Sequence, residues 1–279
     1  MSYFSMFPTQ SYDFGREGIY QTVVDLYRSV KPIQNLVDNT SSYKYINIKN
    51  GERPDILSQR LYGRSDFHWT FFLVNDFLHD GIAAWPMSQE DLQEYIATTY
   101  NGFALETRPD IVYNTDGQIT NYKDSLAGRF KLKETITGQT SGASGTLTKK
   151  DIYLNQLVVQ DVTGTFLGAG DGNTLEAVSG SSSTDNVKVW KAWDYAEAPH
   201  HWYKEGDATE AHVSNANFFS STDDAPTNLI LQVGSVAAAK YTSNRSYVHA
   251  LNDQRSKIRI VDPAYLTIFK NTFENLINV

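Results

Sequence analysis

The side chains able to do chemistry are few and badly spaced for it. His200 and His201 adjoin, His212 follows, and Asp207 and Glu210 lie between. Imidazole and carboxylate groups together suit a divalent metal, but no HExxH or comparable spacing occurs. Adjacent residues of an extended strand point to opposite faces, so His200 and His201 are expected to diverge, and "APHHWY" reads as a packed or contacting loop. "GAGDGN" (168–173) lacks the second spacing of GxGxxG and any following GK[ST], so it reads as a β-turn and not as a phosphate loop. The acidic pairs Asp223-Asp224 and Glu90-Asp91 could supply an acid and a nucleophile; Glu90-Asp91 fits a helix N-terminus better. Serines and histidines are present without GxSxG. No catalytic, cofactor-binding or metal-binding residue is assigned, and the chain is expected not to be an enzyme.

Composition narrows the remaining classes. The 279 residues are 41% apolar and 13% aromatic, with 17 Tyr, 14 Phe and 5 Trp. That suffices for a sizeable core, and the surplus rings suit protein interfaces. The net charge of −8 argues against nucleic acid as a partner. No cysteine is present, which excludes disulfides, thiolate zinc sites and cysteine nucleophiles. "MSYFSMFPTQ" has neither the charged start nor the apolar core of a signal peptide, and no apolar run of about 18 residues suggests a membrane span. The expectation is a soluble protein made in a cytoplasm.

The elements that shape the chain are better marked than any chemistry. Residues 1–42 read as an extended arm followed by an amphipathic helix over 16–31, on Ile19, Val23, Tyr27 and Val30; a strand through "TVVDLY" is the alternative. "YKYINIK" (43–49) alternates as a strand does. Pro54 suits the first turn of a helix that Gly63 ends in a left-handed cap, with Ile56, Leu57 and Leu61 on its apolar face. Ser65 or Asp66 is expected to cap a second helix, apolar nearly all round from Phe67 to Leu78. Such a helix needs covering on several sides, by another domain or another chain. "GIAAWP" reads as a return strand, and Ser88 with Asp91 as a capping box for one more helix. Residues 103–127 read as a connector.

From 128 to 192 the texture is Gly, Thr, Ser and Val, in short alternating runs between turns. It predicts an inserted all-β module, a barrel of five or six strands. Within it "ETITGQTSGASGTL" from Glu134 and "EAVSGSSSTDNVKV" from Glu176 share an acidic start, a glycine four residues on and a polar loop. Residues 193–279 are expected to resume the host fold. "NLILQV" (228–233) reads as a strand, "KIRIV" (257–261) as another, Asp262-Pro263 as a cap, and Leu266, Phe269, Phe273, Leu276 and Ile277 as the stripe of a terminal helix that is expected to pack back on the chain's own first half, the alternative being a neighbouring protein. The fold class is therefore α+β.

A resemblance adds to this reading. "YINIKNGERPDILSQRLYGRSDFHWTFFLVND" resembles a LysM-type βααβ module. With "GIAAWPMSQEDL", "APHHW" and the closing "LNDQRSKIRIVDPAYLTIFKNTFENLI", it resembles the LysM-like baseplate wedge protein of contractile-tailed, T-even-like bacteriophages, over about residues 20–100 and 193–279. The resemblance implies a structural virion protein of the tail baseplate, made in the host cytoplasm. Six copies would bind other wedge proteins and neighbouring wedges around the hub. The module-defining or interface residues it singles out are Arg53, Pro54, Leu57, Leu61, Tyr62, Gly63, Trp69, Phe72, Asn75, Trp85, His200, His201, Phe269 and Phe273. The alternative is a LysM module that binds the N-acetylglucosamine polymer of peptidoglycan.

Overall fold

The computed structural model describes residues 3–28, 42–107, 110–113, 119–123, 126, 128–168, 176–204 and 239–278. They form a mixed α+β structure in two units: residues 1–92 with 250–279, and residues 93–249. The second unit is thus an insertion in the first, and it is larger than the Gly/Thr-rich texture alone suggests.

The discontinuous unit begins with a 3-10 turn (Tyr3–Met6) and a hairpin, β1 (Thr9–Tyr12) and β2 (Gln21–Val24). The helix expected over 16–31 is not formed. Thr22, Val23 and Val24 are β-branched, which favours an extended chain. The preceding loop is held by Asp13, whose carboxylate accepts from the amides of Gly15, Glu17 and Gly18. Val30 lies outside the described residues.

Next come β3 (Tyr43–Asn47), α1 (Pro54–Tyr62), α2 (Trp69–Val74) and α3 (Gln89–Thr99). Pro54 opens α1, and Gly63 closes it at φ 71° with its amide on the Gln59 carbonyl, the αL cap that favours glycine. Ile56 faces solvent, and buried Ser58 takes the inner place beside Leu57, its hydroxyl donating 2.6 Å to the Arg64 carbonyl. The second helix is shorter than its apolar run. It is six residues flanked by 3-10 turns at Ser65–Phe67 and Asp76–Leu78, and neither Ser65 nor Asp66 caps it. Asp66 pairs with Arg64 at 2.6 Å instead. "GIAAWP" is a 3-10 turn (Gly81–Ala84), not a strand. Ser88 does cap α3: its hydroxyl accepts from the Asp91 amide at 3.1 Å and donates to the Asp91 carboxylate at 2.7 Å.

The insertion is built on a closed antiparallel barrel. Its strands are β4 (Phe103–Thr107), β7 (Thr135–Gly138), β8 (Ser144–Asp151), β9 (Gln156–Thr163), β10 (Glu176–Gly180) and β11 (Asn186–Asp194), in the order β10-β11-β4-β9-β8-β7. The stretch expected as a connector therefore supplies a barrel strand: β4 pairs with both β11 and β9 and buries Ala104 and Leu105. A separate ribbon, β5 (Asp110–Tyr113) and β6 (Ile119–Lys123), follows β4 in the chain. Leu105, Ile136, Leu147, Leu157, Val178 and Val189 fill the barrel, with Leu126 and Phe130. β12 (Pro199–Lys204) pairs with β13 (Ala239–Ser243), which runs into α4 (Asn244–Ser256). The stretch "NLILQV" and the residues Asp207, Glu210, His212, Asp223 and Asp224 lie outside the described residues.

The chain returns to the first unit through β14 (Lys257–Val261), a 3-10 turn opened by Asp262 and Pro263, and α5 (Leu266–Ile277). β14 is the partner of β3, antiparallel, with Arg259 opposite Tyr45. The return strand of the βαα segment thus comes from the far end of the chain and not from residues 81–86.

Among the described residues no helix is long and apolar enough to cross a membrane.

Candidate functional site

The first unit contains twelve of the fourteen residues singled out from the sequence; His200 and His201 lie in the second. Several of the twelve join distant stretches of chain. Asn75, 4% exposed, is the clearest case. Its amide nitrogen donates to the carbonyls of Phe71 and Arg259, both at 2.8 Å, and its amide oxygen accepts from the Arg259 amide at 2.8 Å. The side chain thereby pairs with main chain of β14 as a neighbouring strand would, and it satisfies buried groups that are costly to leave alone. Arg259 donates to the Val74 carbonyl at 2.7 Å and lies over the Tyr43 ring. Asn252 makes a second such clip, accepting from the Met87 amide at 2.8 Å and donating to the Met87 carbonyl at 3.2 Å. Sequence reasoning missed both Arg259 and Asn252, because nothing local marks a side chain that bonds to remote main chain.

Around these clips lie two apolar clusters. One joins Met6 and Phe7 to Trp69, Val261, Leu266, Phe269, Phe273 and Ile277. The Trp69 ring sits 4.8 Å from Phe273 and 6.2 Å from Phe269. The terminal helix thus docks within its own chain, on the apolar helix that needed cover. The second cluster gathers Leu57, Phe71, Leu78, Trp85, Ile258 and Ile260, with Leu61 and Phe72 half-buried at its edge. The Trp85 indole donates 2.8 Å to the Glu52 carbonyl. The Tyr62 hydroxyl donates 2.9 Å to the Val261 carbonyl, and burial pushes its phenol up to about 12. Pro54 is buried; Arg53 is exposed, 3.2 Å from Asp55.

A cleft of about 770 Å³ opens in this unit. Tyr3, Phe4, Trp69, Phe72 and Leu73 give it aromatic and aliphatic walls, and Asp55, Ser65, Asp66 and His68 a polar edge. The Arg64 guanidinium holds the Asp66 carboxyl well below its usual range. Tyr3 and Phe4 were not singled out from the sequence.

His200 and His201 do not diverge. The pairing of β12 with β13 shifts register between Pro199 and His201, and this bulge turns both rings to one side. Their Nδ1 atoms stand 2.9 Å apart, so one carries a proton that the other accepts. His200 stacks on Tyr247 at 3.7 Å. Among the described residues no three histidine or acidic side chains gather as a metal site would require.

The repeat in the insertion has a structural counterpart. Glu134 accepts from the amides of Lys131, Ser182 and Ser183 and from both serine hydroxyls. Glu176 accepts from the amides of Thr140, Ser141 and Leu167. Each carboxylate therefore holds the hairpin loop of the other repeat. The exchange is symmetric: in the β7–β10 pairing Ile136 faces Gly180 and Val178 faces Gly138, with Thr137 opposite Ser179 between them. Gly138 and Gly180 make room for it, since a Cβ at either would stand within 2.8 Å of the other repeat's carboxylate. Burial raises both carboxyls, but the accepted hydrogen bonds outweigh it, bringing Glu134 to about 2 and lowering Glu176.

No family model and no curated protein matches the chain.

Proposed function

We propose that this chain is a structural subunit of a contractile phage tail, a LysM-like baseplate wedge protein that binds neighbouring wedge proteins and helps close the ring around the hub. One observation carries the reading. The two stretches that bear most of the resemblance, Tyr45–Asp76 and Leu251–Ile277, are far apart in the sequence and fold together as one unit, through the β3–β14 pairing and the Asn75 clip on Arg259. Two helices on a two-stranded antiparallel sheet support the LysM-like description of that unit. The best-specified residues of both stretches serve shape: Leu57, Trp69, Phe71, Phe269 and Phe273 are all buried. A rigid part presenting protein surfaces suits an assembly role, with six copies in the virion, other wedge proteins as partners, and no turnover.

A reconstruction of the intact tail tests this. Six copies around the hub are expected, and a chain absent from the tail sinks the reading. Parallel pull-downs separate the alternative: retention on purified cell wall, without co-assembly with baseplate proteins, would favour a peptidoglycan-binding module.

A further inference from the structure

Asparagine followed by glycine occurs twice in the chain, at Asn50-Gly51 and at Asn101-Gly102. In this dipeptide an asparagine side chain is attacked most readily by the next main-chain nitrogen, because glycine places no Cβ in the way and leaves the backbone its widest freedom. Both asparagines are exposed, so sequence and exposure do not separate them. Their surroundings do. The Asn50 side-chain oxygen accepts from the Gln89 amide at 2.8 Å. The turn around it is closed by the Glu52 amide on the Lys49 carbonyl at 2.9 Å and by the Lys49 amide on the Glu52 carboxylate at 3.1 Å. Asn101 follows the end of α3, and among the described residues neither its side chain nor the Gly102 amide makes a hydrogen bond.

We propose that Asn101 is a site of spontaneous modification, at which the folded chain deamidates to aspartate and isoaspartate while Asn50 is spared. The Gly102 nitrogen, its proton taken by hydroxide, attacks Asn101 Cγ. A bond forms between them as the bond from Cγ to Nδ2 breaks. Nδ2 takes up a proton and leaves as ammonia, and a succinimide ring remains. Water then opens the ring at either carbonyl. One opening leaves aspartate in a normal main chain, and the other routes the main chain through the side chain as isoaspartate. Water is the co-reactant, and nothing is oxidised or reduced. At Asn50 the same ring closure requires the side chain to leave Gln89 and the turn to open. A site that reacts only from an opened state is slowed by the cost of opening.

The position makes the products consequential. Gly102 is at φ 87°, and a Cβ there would stand 2.2 Å from the Val159 carbonyl oxygen. Its own carbonyl accepts from the Tyr195 amide at 3.0 Å. The main chain therefore has little slack between α3 and β4, the strand that lies between β11 and β9. Isoaspartate lengthens that link by a methylene and shifts Gly102 against both neighbours. Aspartate keeps the length but puts a negative charge just past the C-terminus of α3, the end that disfavours it. Modification of Asn101 thus loosens the entry to the barrel as the protein ages. The proposal goes beyond the assembly role above and does not depend on it.

Ageing of the folded full chain at mildly alkaline pH tests it, with peptide mapping by mass spectrometry over time and enzymatic methyl labelling of isoaspartate. The Asn101 peptide should convert to both acids at a rate that rises with pH. It should react about tenfold or more faster than the Asn50 peptide, because hydrogen bonds must first break at Asn50. In urea, where neither site keeps its structure, the two rates should converge. Asn101→Gln alters an exposed side chain. It should keep the wild-type circular dichroism and show no conversion at 101, and after equal ageing its barrel should melt above that of wild type. Equal rates at the two sites in the folded chain overturn the proposal, and so does an Asn101 that is stable when folded but reacts in urea. A gap that persists in urea would place the difference in the local sequence and overturn it as well. Isoaspartate at 101 with no drop in barrel melting overturns the consequence drawn for β4.

Discussion

The two units reach a buried core by opposite routes. The barrel is built from near neighbours. β7, β8 and β9 are successive antiparallel strands, β10 and β11 form a hairpin, and only β4 comes from further away. Its unusual feature is polar, the exchange of Glu134 and Glu176 between two hairpin loops. The first unit is built from strangers. Phe7, Trp69 and Phe273 come from the start, middle and end of its chain, and β3 finds its partner only after the whole insertion. Local pairing lets a module tolerate change outside itself. Assembly from remote segments makes every segment a condition for the others.

This difference predicts unequal damage. Phe273→Asp should do the most. The ring is 4% exposed and packs between Tyr3, Phe7 and Trp69. The change removes a buried aromatic, worth about 3–5 kcal/mol, and also buries an unpaired carboxylate, whose cost adds to that. The first unit should unfold. The barrel, with its own closed sheet and core, should keep its β signal in circular dichroism and its protection in hydrogen exchange. Loss of protection throughout the barrel as well would show that the comparison draws the line in the wrong place.

What the sequence disclosed follows the same division. Signals that act within a turn of their own residue were legible: Pro54 and Gly63 at the ends of α1, Ser88 with Asp91, Asp262 with Pro263. The barrel was legible as a class because alternation and turn residues are local too, though its first strand, β4, was hidden in what read as a connector. Most of what was misread depends on distance or on geometry with no local mark. "GIAAWP" reads as the return strand because nothing in "KIRIV" says that its partner lies on the other side of the insertion. The β12 bulge that joins His200 to His201 is not visible in "APHHWY". The arm was misread for a different reason. Ile19, Val23 and Tyr27 fit a helical period, but three successive β-branched residues and a loop fixed by Asp13 outweigh a four-residue spacing. The shared acidic start and glycine of the repeat were visible, whereas their exchange across the barrel required the fold.

A middle-sized effect probes the barrel's polar exchange. Glu134→Gln keeps the shape but replaces a carboxylate that accepts five hydrogen bonds by a neutral amide, half of which is a donor. Losing charged hydrogen bonds of this kind costs about 1.5–3 kcal/mol, read as a lowered barrel melting temperature with the first unit little changed. Wild type should show the same dependence in acid. The folded carboxyl titrates at about 2, below its ordinary 4.5. Its contribution is therefore full above pH 4.5 and is lost as pH falls from there toward 2. A barrel whose stability is flat through that window in wild type, or equally acid-sensitive in Glu134→Gln, would remove the carboxylate from the account.

The smallest contrast lies within one helix. Leu57 and Leu61 are one turn apart on α1 and touch the same cluster, but Leu57 is fully buried and Leu61 only half so. Truncation cost follows the cavity left behind and how far the surroundings can collapse into it. At Leu57 neighbours enclose the side chain on every side, so Leu57→Ala should cost about 3–4 kcal/mol. At Leu61 solvent already reaches the side chain. Water can fill the space, no closed cavity forms, and the loss reduces to part of a transfer term, about 1–1.5 kcal/mol. Urea unfolding of both variants measures the gap. Equal costs near the larger value would mean that Leu61 is covered in solution, and the edge of this cluster would then count as core.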